Sequence, residues 1–290
     1  MPGATAATHK TVVLYPSLGM GHLNPVVELA KVFLRRGVAA VIIAVVEVDS
    51  SDTTTTDRLA AANPGITFRR LLLLPDAAAV PPRGLLQDDG RRHSHPIMRT
   101  IDVLRAANPV LRDLLCELVI DMFCTDALDV AAELGVPAYF FFTSALGDLA
   151  VMLHLPCVFP DARSSFKDMP YTALRFPGVP PIRGMDMATT MQDRESDIAR
   201  ACLHQCARMP EARGFLVNTF DWLEALRSGS CMPAGRPTPP VYCIGPLIVP
   251  GNPGGHNERH VCLTWLDAQP NRSVVFLSFG SMGVLICWPL

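Results

Sequence analysis

The sequence predicts an α/β protein built on a parallel sheet with helices on both faces. Short apolar runs alternate with amphipathic helical patterns through the first half of the chain. The runs are continuously apolar rather than strictly alternating, which is how strands buried on both faces read. In addition, 49% of the 290 residues are hydrophobic and 18% charged, enough apolar material for a sizeable core.

The elements follow in order. Thr11–Tyr15 (TVVLY) is a strand of β-branched and aromatic residues. Asn24 reads as a helix cap with Pro25 at the first helical position, where its missing N–H costs nothing. Val27, Ala30, Phe33 and Leu34 recur at helical spacing, and Arg35-Arg36-Gly37 is a basic last turn with a glycine stop. Strands follow at Val38–Val46 and near Ile66–Leu74, then a helix at Met98–Ala106 interrupted or restarted around Pro109. A strand at Leu118–Ile120, a helix at Asp126–Leu134 closed by Gly135, and a strand at Val136–Phe142 continue the rhythm. Ala138 to Phe159 is apolar over a membrane-spanning length, but Thr143, Ser144, Gly147, Asp148, His154 and Pro156 interrupt it. It reads as a buried strand followed by a buried helix. Pro160–Met191 is proline-rich and reads as a surface loop, followed by a helix near Glu195–Ala207 and a strand at Gly214–Asn218.

From Ser228 the composition shifts toward proline and glycine around Val241-Tyr242-Cys243-Ile244, a final strand. We read residues 1–245 as one domain, 246–260 as a linker and 261–290 as the beginning of a second domain. Within the last, Val261–Asp267 is a short helix and Ser273–Phe279 an apolar strand, followed by the small-residue loop Gly280-Ser281-Met282-Gly283.

Composition excludes several function classes. With 25 basic and 27 acidic side chains the formal charge is −2, so there is no electrostatic footprint for nucleic acid. The polar start Met1–Lys10 lacks the pattern of a secretory leader, and the nine cysteines form no even framework. The expectation is a cytoplasmic protein with reduced thiols, no stable membrane insertion and no use for the sequon Asn271-Arg272-Ser273. Cys202 and Cys206 share a helix face near His204, but no second ligand pair stands at metal spacing, so they read as packing residues and no metal is expected.

Ligands of open parallel sheets bind beyond the carboxyl ends of the strands, and three features fall there. Pro16–Pro25 (PSLGMGHLNP) carries Gly19 and Gly21, which allow a tight turn, and then His22 at or just before a helix N-terminus. A dinucleotide fingerprint needs a third glycine where Asn24 stands, so nicotinamide binding has weak support. Asp121 follows a central strand, where a carboxylate is costly unless paired. A histidine at a neighbouring strand end would be a natural partner, leaving its other nitrogen as a general base. Thr143-Ser144 places hydroxyls at the same edge. These features alone leave His22 open as a base or a turn residue, and Asp121 as its partner or an ordinary cap.

Six segments in order resemble plant family 1 UDP-dependent glycosyltransferases, especially those that glucosylate phenolic and flavonoid hydroxyls. They are PSLGMGHLNP, LVIDMFCTDALDV (Leu118–Val130), VPAYFFFTSA (Val136–Ala145), GFLVNTFDWLE (Gly214–Glu224), YCIGPL (Tyr242–Leu247) and CLTWLDAQPNRSVVFLSFGSM (Cys262–Met282). The resemblance runs from Thr11 to Gly283. It implies the GT-B type of fold: a Rossmann-like domain for the acceptor and, here, only the start of a second one for the UDP-sugar. It further implies an inverting displacement with no cofactor, UDP-glucose being a co-substrate. His22 matches the family's catalytic base and Asp121 its orienting partner. Thr143 matches a position touching the donor sugar, and Gly280-Ser281 the loop against the donor phosphates. Walls of the phenolic acceptor pocket are expected around Gly19, Gly21, His93 and Phe123.

The sequence also departs from the family. The long tryptophan- and histidine-containing donor signature has no counterpart, Val284–Leu290 is an uncapped apolar tail, and the stretch from Pro109 to Leu118 is shorter than usual. The expectation is a truncated chain, inactive alone, whose apolar tail promotes self-association. The alternative is a non-catalytic module that binds acceptors or pairs with intact relatives.

Overall fold

The computed structural model describes residues 10–48, 50–71, 95–114, 117–159, 164–220, 239–248, 261–275 and 277. The chain divides into two compact units, Met1–Ile248 and Val249–Leu290.

The first unit is a parallel α/β sheet. Strand β1 (Thr11–Tyr15) leads to helix α1 (Met20–Arg35), β2 (Ala40–Val46), α2 (Ser50–Ala62) and β3 (Thr67–Leu71). Helix α3 (Pro96–Leu111) and a short turn of helix at Arg112–Leu114 precede β4 (Leu118–Asp121). Then come α4 (Ala127–Leu134), β5 (Ala138–Phe142) and α5 (Leu146–Val158). The short strands β6 (Ala173–Leu174) and β7 (Ile182–Arg183) pair antiparallel with each other. Helix α6 (Asp197–Arg208) and strands β8 (Phe215–Val217) and β9 (Val241–Cys243) complete the unit. The main sheet has seven strands in the order β3-β2-β1-β4-β5-β8-β9, each pair parallel.

Strand alternation explains the continuous apolar runs. In β1, Val12 and Leu14 join Val26, Val27 and Ala30 of α1 on one face, while Val13 and Tyr15 join Leu104, Ala107 and Leu111 of α3 on the other. Both faces are covered, so every position is apolar. In β5 the division is the same, with Phe141 on the α1 side and Phe140 and Phe142 on the other, Phe140 stacked on Phe215 at 5.8 Å. The Tyr15 hydroxyl donates to Leu104 O at 3.0 Å, which satisfies the polar end of a buried ring. Gly135 closes α4 in the left-handed region at φ 65°, and Ser196 caps α6 by accepting from Ala199 N at 3.2 Å.

Four expectations change. Helix α1 starts at Met20, not after Asn24: Gly19 turns the chain at φ 89°, and Pro25 lies inside the helix rather than at its first position. Helix α2, unexpected from a serine- and threonine-rich stretch, is held by tertiary packing, with Thr56 2% exposed. Helix α3 runs through Pro109 without a break; Pro96 opens it and His95 Nδ1 accepts from Ile97 N at 3.3 Å. Finally, the described part of Pro160–Met191 is no bare surface loop. Phe166, Phe176, Met187 and Met191 form a second apolar cluster with Leu155, Ala199 and Cys206. Gly184 lets this excursion close, since a Cβ there would stand 2.4 Å from Met169 O.

The stretch Ala138–Phe159 divides into β5 and α5 as expected, and no helix among the described residues is long and apolar enough to cross a membrane. Within the second unit, α7 (Val261–Asp267) forms where expected. Ser273–Val275 and Leu277, by contrast, are not in a strand. The tail Val284–Leu290 lies outside the described residues.

Candidate functional site

The site stands at the carboxyl edge of the two central strands, β1 and β4. After β1 the chain runs through Pro16–Leu18 to Gly19, whose positive φ needs no Cβ to be accommodated. Gly19 O then accepts from His22 N at 3.2 Å and Leu23 N at 3.1 Å. This places His22 in the first turn of α1, above the end of β1. Strand β4 lies beside β1 in register, Tyr15 opposite Ile120, and delivers Asp121 as its last residue.

His22 Nδ1 lies 2.8 Å from Asp121 Oδ2. The carboxylate can only accept, so Nδ1 carries the proton and donates, which fixes the tautomer. Asp121 is 1% exposed, and its second oxygen accepts from Phe123 N at 3.1 Å. The buried carboxylate is therefore matched on both oxygens, as burial of a charge requires. Phe123 also sets its ring edge against the imidazole, with centroids 5.5 Å apart. Burial pulls the His22 pKa down, but the Asp121 hydrogen bond and then its charge outweigh that, and the net value is raised. Nε2 has no hydrogen-bond partner among the described residues, and the ring geometry turns it away from Asp121. A fixed tautomer, a stabilised imidazolium and an unoccupied second nitrogen are what a general base requires.

Thr143 follows β5 at the same edge, half-buried, one strand beyond Asp121, whose register partner is Phe141. Ser144 is exposed and donates to Asp148 in the first turn of α5. Gly19, in the loop before α1, and Gly21, in its first turn, are both exposed. Thus His22, Asp121, Phe123, Gly19 and Gly21 come together, with Thr143 nearby. His93, Gly280 and Ser281 lie outside the described residues. Cys202 and Cys206 pack with the second apolar cluster, and burial pushes the Cys206 thiol up to about 12. No set of metal-ligating side chains gathers among the described residues.

The sequence reading passed over Ser17. Its hydroxyl is buried, in a residue 5% exposed, and has no hydrogen-bond partner among the described residues. It lines a cavity of about 90 Å³ between the β1–α1 loop, the end of β2, and Thr55 and Thr56 of α2. Serine in a glycine loop carries no sequence signal of burial, so only the fold reveals it. Glu47, after β2, stands where a dinucleotide site keeps an acid for ribose hydroxyls. Here Thr53 donates to its Oε2 at 3.0 Å, and Arg70 Nε lies 3.1 Å from Oε1, an ion pair without hydrogen-bond geometry, so the carboxylate is already matched in charge.

The histidine–carboxylate pair thus stands at the carboxyl edge of a parallel α/β sheet, where ligands of open sheets bind. No protein-family model matches the chain. It is 36% identical over 291 residues to UDP-glycosyltransferase 88B1 of Stevia rebaudiana, covering 94% of this chain and 60% of that protein. It is 35% identical over 301 residues to phloretin 2'-O-glucosyltransferase of Pyrus communis, with the same coverage. In structure it is similar to a UDP-glucosyltransferase of Polygonum tinctorium capable of glucosylating indoxyl, with a TM-score of 0.76 and 32% identity, over 97% of this chain and 61% of that one. By sequence and fold the chain belongs to the plant UDP-glycosyltransferases. It spans about 60% of the length of the curated relatives it matches.

Proposed function

We propose that this chain is the acceptor-holding part of a UDP-dependent hexosyltransferase, with His22 as the general base. The observation that carries the reading is the His22–Asp121 hydrogen bond of 2.8 Å, with Nε2 left for a ligand. A hydroxyl of a small phenol or flavonoid meets Nε2 and gives up its proton as its oxygen attacks the anomeric carbon of UDP-glucose. The new C–O bond forms on the face opposite the nucleotide, the bond from the anomeric carbon to the phosphate oxygen breaks, and UDP leaves. The sugar is therefore inverted. Asp121 stabilises the imidazolium, which returns its proton to solvent. Gly19, Gly21 and Phe123 form acceptor walls, joined by His93. Thr143 touches the donor sugar, and Gly280-Ser281 the donor phosphates. UDP-glucose is a co-substrate, and the reading calls on no cofactor or metal.

The relatives' names support donor and acceptor classes, glucose on phloretin and indoxyl among them. Engagement of Glu47 argues against the nicotinamide alternative. Cys124, Cys157, Cys202 and Cys206 are free thiols, and the reading places the chain in a reducing cytoplasm. Since the matched length is about 60% of the relatives, we expect this polypeptide alone to bind acceptor but to transfer little or no sugar, because transfer requires both reactants to be held together. Exposed apolar side chains in the second unit, Trp265 at 56% and Val275 at 81%, support self-association or pairing with an intact relative.

The test is to incubate the purified chain with UDP-glucose and a panel of phenols, reading product mass and phenol binding beside His22→Ala. The reading expects phenol binding without hexose addition. Product lost in His22→Ala would keep the base and overturn the expected incompetence. Product that survives His22→Ala would remove His22 from its role. Failure to bind any phenol would leave the acceptor assignment without support.

A further inference from the structure

We propose that Thr125 is a positioning residue for the base: its hydroxyl holds the Met122–Phe123 peptide in the orientation from which that peptide's N–H fixes the Asp121 carboxylate against His22. The inference rests on the base reading of His22 above and adds a residue that acts on it through Asp121.

Strand β4 ends at Asp121 and the chain turns at once. Cys124 N donates to Asp121 O at 2.9 Å, with Met122 and Phe123 as the turning residues. The Met122–Phe123 peptide is the middle of this turn, and both of its polar groups are taken by side chains. Its N–H, on Phe123, donates to Asp121 Oδ1 at 3.1 Å. Its carbonyl, on Met122, accepts from Thr125 Oγ1 at 3.2 Å. The other carboxylate oxygen, Asp121 Oδ2, lies 2.8 Å from His22 Nδ1. One hydrogen-bonded path therefore runs from the Thr125 hydroxyl, through a single peptide and the carboxylate, to the imidazole.

A threonine hydroxyl bonded to the carbonyl three residues back is a common local pattern, and by itself it says only that a buried hydroxyl is satisfied. Three features give it a further role here. Thr125 is 0% exposed, in a turn flanked by Cys124 and Ala127 of the apolar core, where valine would fill the same space with no hydroxyl to satisfy. The terminal torsion of an aspartate is soft, so Oδ2 is aimed at His22 only as well as Oδ1 is held. A hydroxyl that donates to a carbonyl also polarises the peptide and strengthens the N–H on its far side. Of the charged groups on the elements around the pair, Asp121 is the one that acts on His22. Glu28 of α1 is paired with Lys31 at 2.7 Å, and Asp126, beyond the turn, with Arg105 at 2.9 Å. Burial holds the protons on Cys124 and Tyr15.

The experiment is an NMR pH titration of the His22 ring in the full chain. It compares wild type, Thr125→Val, Thr125→Ser and Thr125→Ala, with Asp121→Asn as the reference for a lost pair and melting temperatures measured alongside. Thr125→Val deletes the hydroxyl and keeps the shape. Serine against alanine isolates the hydroxyl again, should Thr125→Val fail to fold. Expected is a wild-type midpoint above that of Asp121→Asn. In Thr125→Val and Thr125→Ala it falls toward the Asp121→Asn value by about half a pH unit, the lower part of what one hydrogen bond is worth. Thr125→Ser keeps the wild-type midpoint whatever its melting temperature. Lower melting temperatures in Thr125→Val and Thr125→Ala with unchanged midpoints would overturn the proposal, because the hydroxyl would then serve the turn alone. A midpoint in Thr125→Ser as low as in Thr125→Ala would overturn it too, while the base reading stands. If wild type and Asp121→Asn share one midpoint, the base reading fails and Thr125 with it.

Discussion

The two ends of the sheet in the first unit differ in a way that cavity size alone would misjudge. At the amino ends, a groove of about 420 Å³ is lined by Leu128, Ala131, Ala132, Pro137 and Ala138, with Glu211 and Arg213 at its rim. At the carboxyl ends the cavity is about 90 Å³. Yet beside the smaller one lie a buried hydroxyl, that of Ser17, with no partner among the described residues and a histidine whose pKa is shifted by a carboxylate. The groove has neither: Arg213 is exposed to solvent and hydrogen-bonds through its backbone to Ala138 O at 2.8 Å. Space is a by-product of packing; perturbed and unmatched polar groups are costly to keep, which makes them a better pointer to a functional site than volume is.

Substitutions can break or sharpen this contrast. The largest effect belongs to the middle of the sheet, on which both ends depend. Phe140→Ala removes a fully buried ring stacked on Phe215 and should cost about 3–5 kcal/mol in denaturant unfolding. At the carboxyl end, Asp121→Ala leaves His22 Nδ1 and Phe123 N without their acceptor and should cost about 2–3 kcal/mol. That cost has a pH signature. A raised histidine pKa means that the folded state favours the imidazolium. The stabilisation is full below the ordinary histidine value and is lost as pH rises through the raised folded value. The gap between Asp121→Ala and wild type should therefore narrow as pH increases across that window, leaving the part due to the two hydrogen bonds; a gap independent of pH would deny the charge interaction. At the amino end, Arg213→Ala should stay within about 0.5 kcal/mol in the same measurement, as exposed side chains usually do. A loss comparable to that of Asp121→Ala would mean that the groove is under a constraint equal to the opposite edge.

Much of this was legible beforehand, for identifiable reasons. Strands such as Thr11–Tyr15 and Ala138–Phe142 lie between two layers, so apolarity alone marks them. Gly135 ends α4 where expected because a left-handed stop has few substitutes. His22 and Asp121 could be paired in advance by their places after strands and by the family resemblance, and the hydrogen bond between them is present. The failures share a cause, namely that tertiary contacts outweighed local signals. Ser50–Ala62 is helical despite its threonines, Pro25 and Pro109 lie within helices, and the proline-rich excursion buries Phe166 and Phe176 against α5 and α6. Ser273–Val275, read as strand from β-branched residues, is not strand. A short apolar run becomes a strand only where neighbouring strands pair with it. Ser17 was invisible for a similar reason, since burial of a loop serine is a property of its neighbours.

The central claim is that Asp121 holds His22 as a base with a raised pKa and a fixed tautomer. The most direct measurement is an NMR pH titration of the His22 ring in the wild type and in Asp121→Asn. The account predicts a wild-type midpoint above the ordinary histidine value, with the neutral ring protonated on Nδ1. In Asp121→Asn the charge is gone and burial dominates, so the midpoint should fall below the wild-type one. Equal midpoints in the two proteins, or a neutral ring protonated on Nε2 in the wild type, would contradict it.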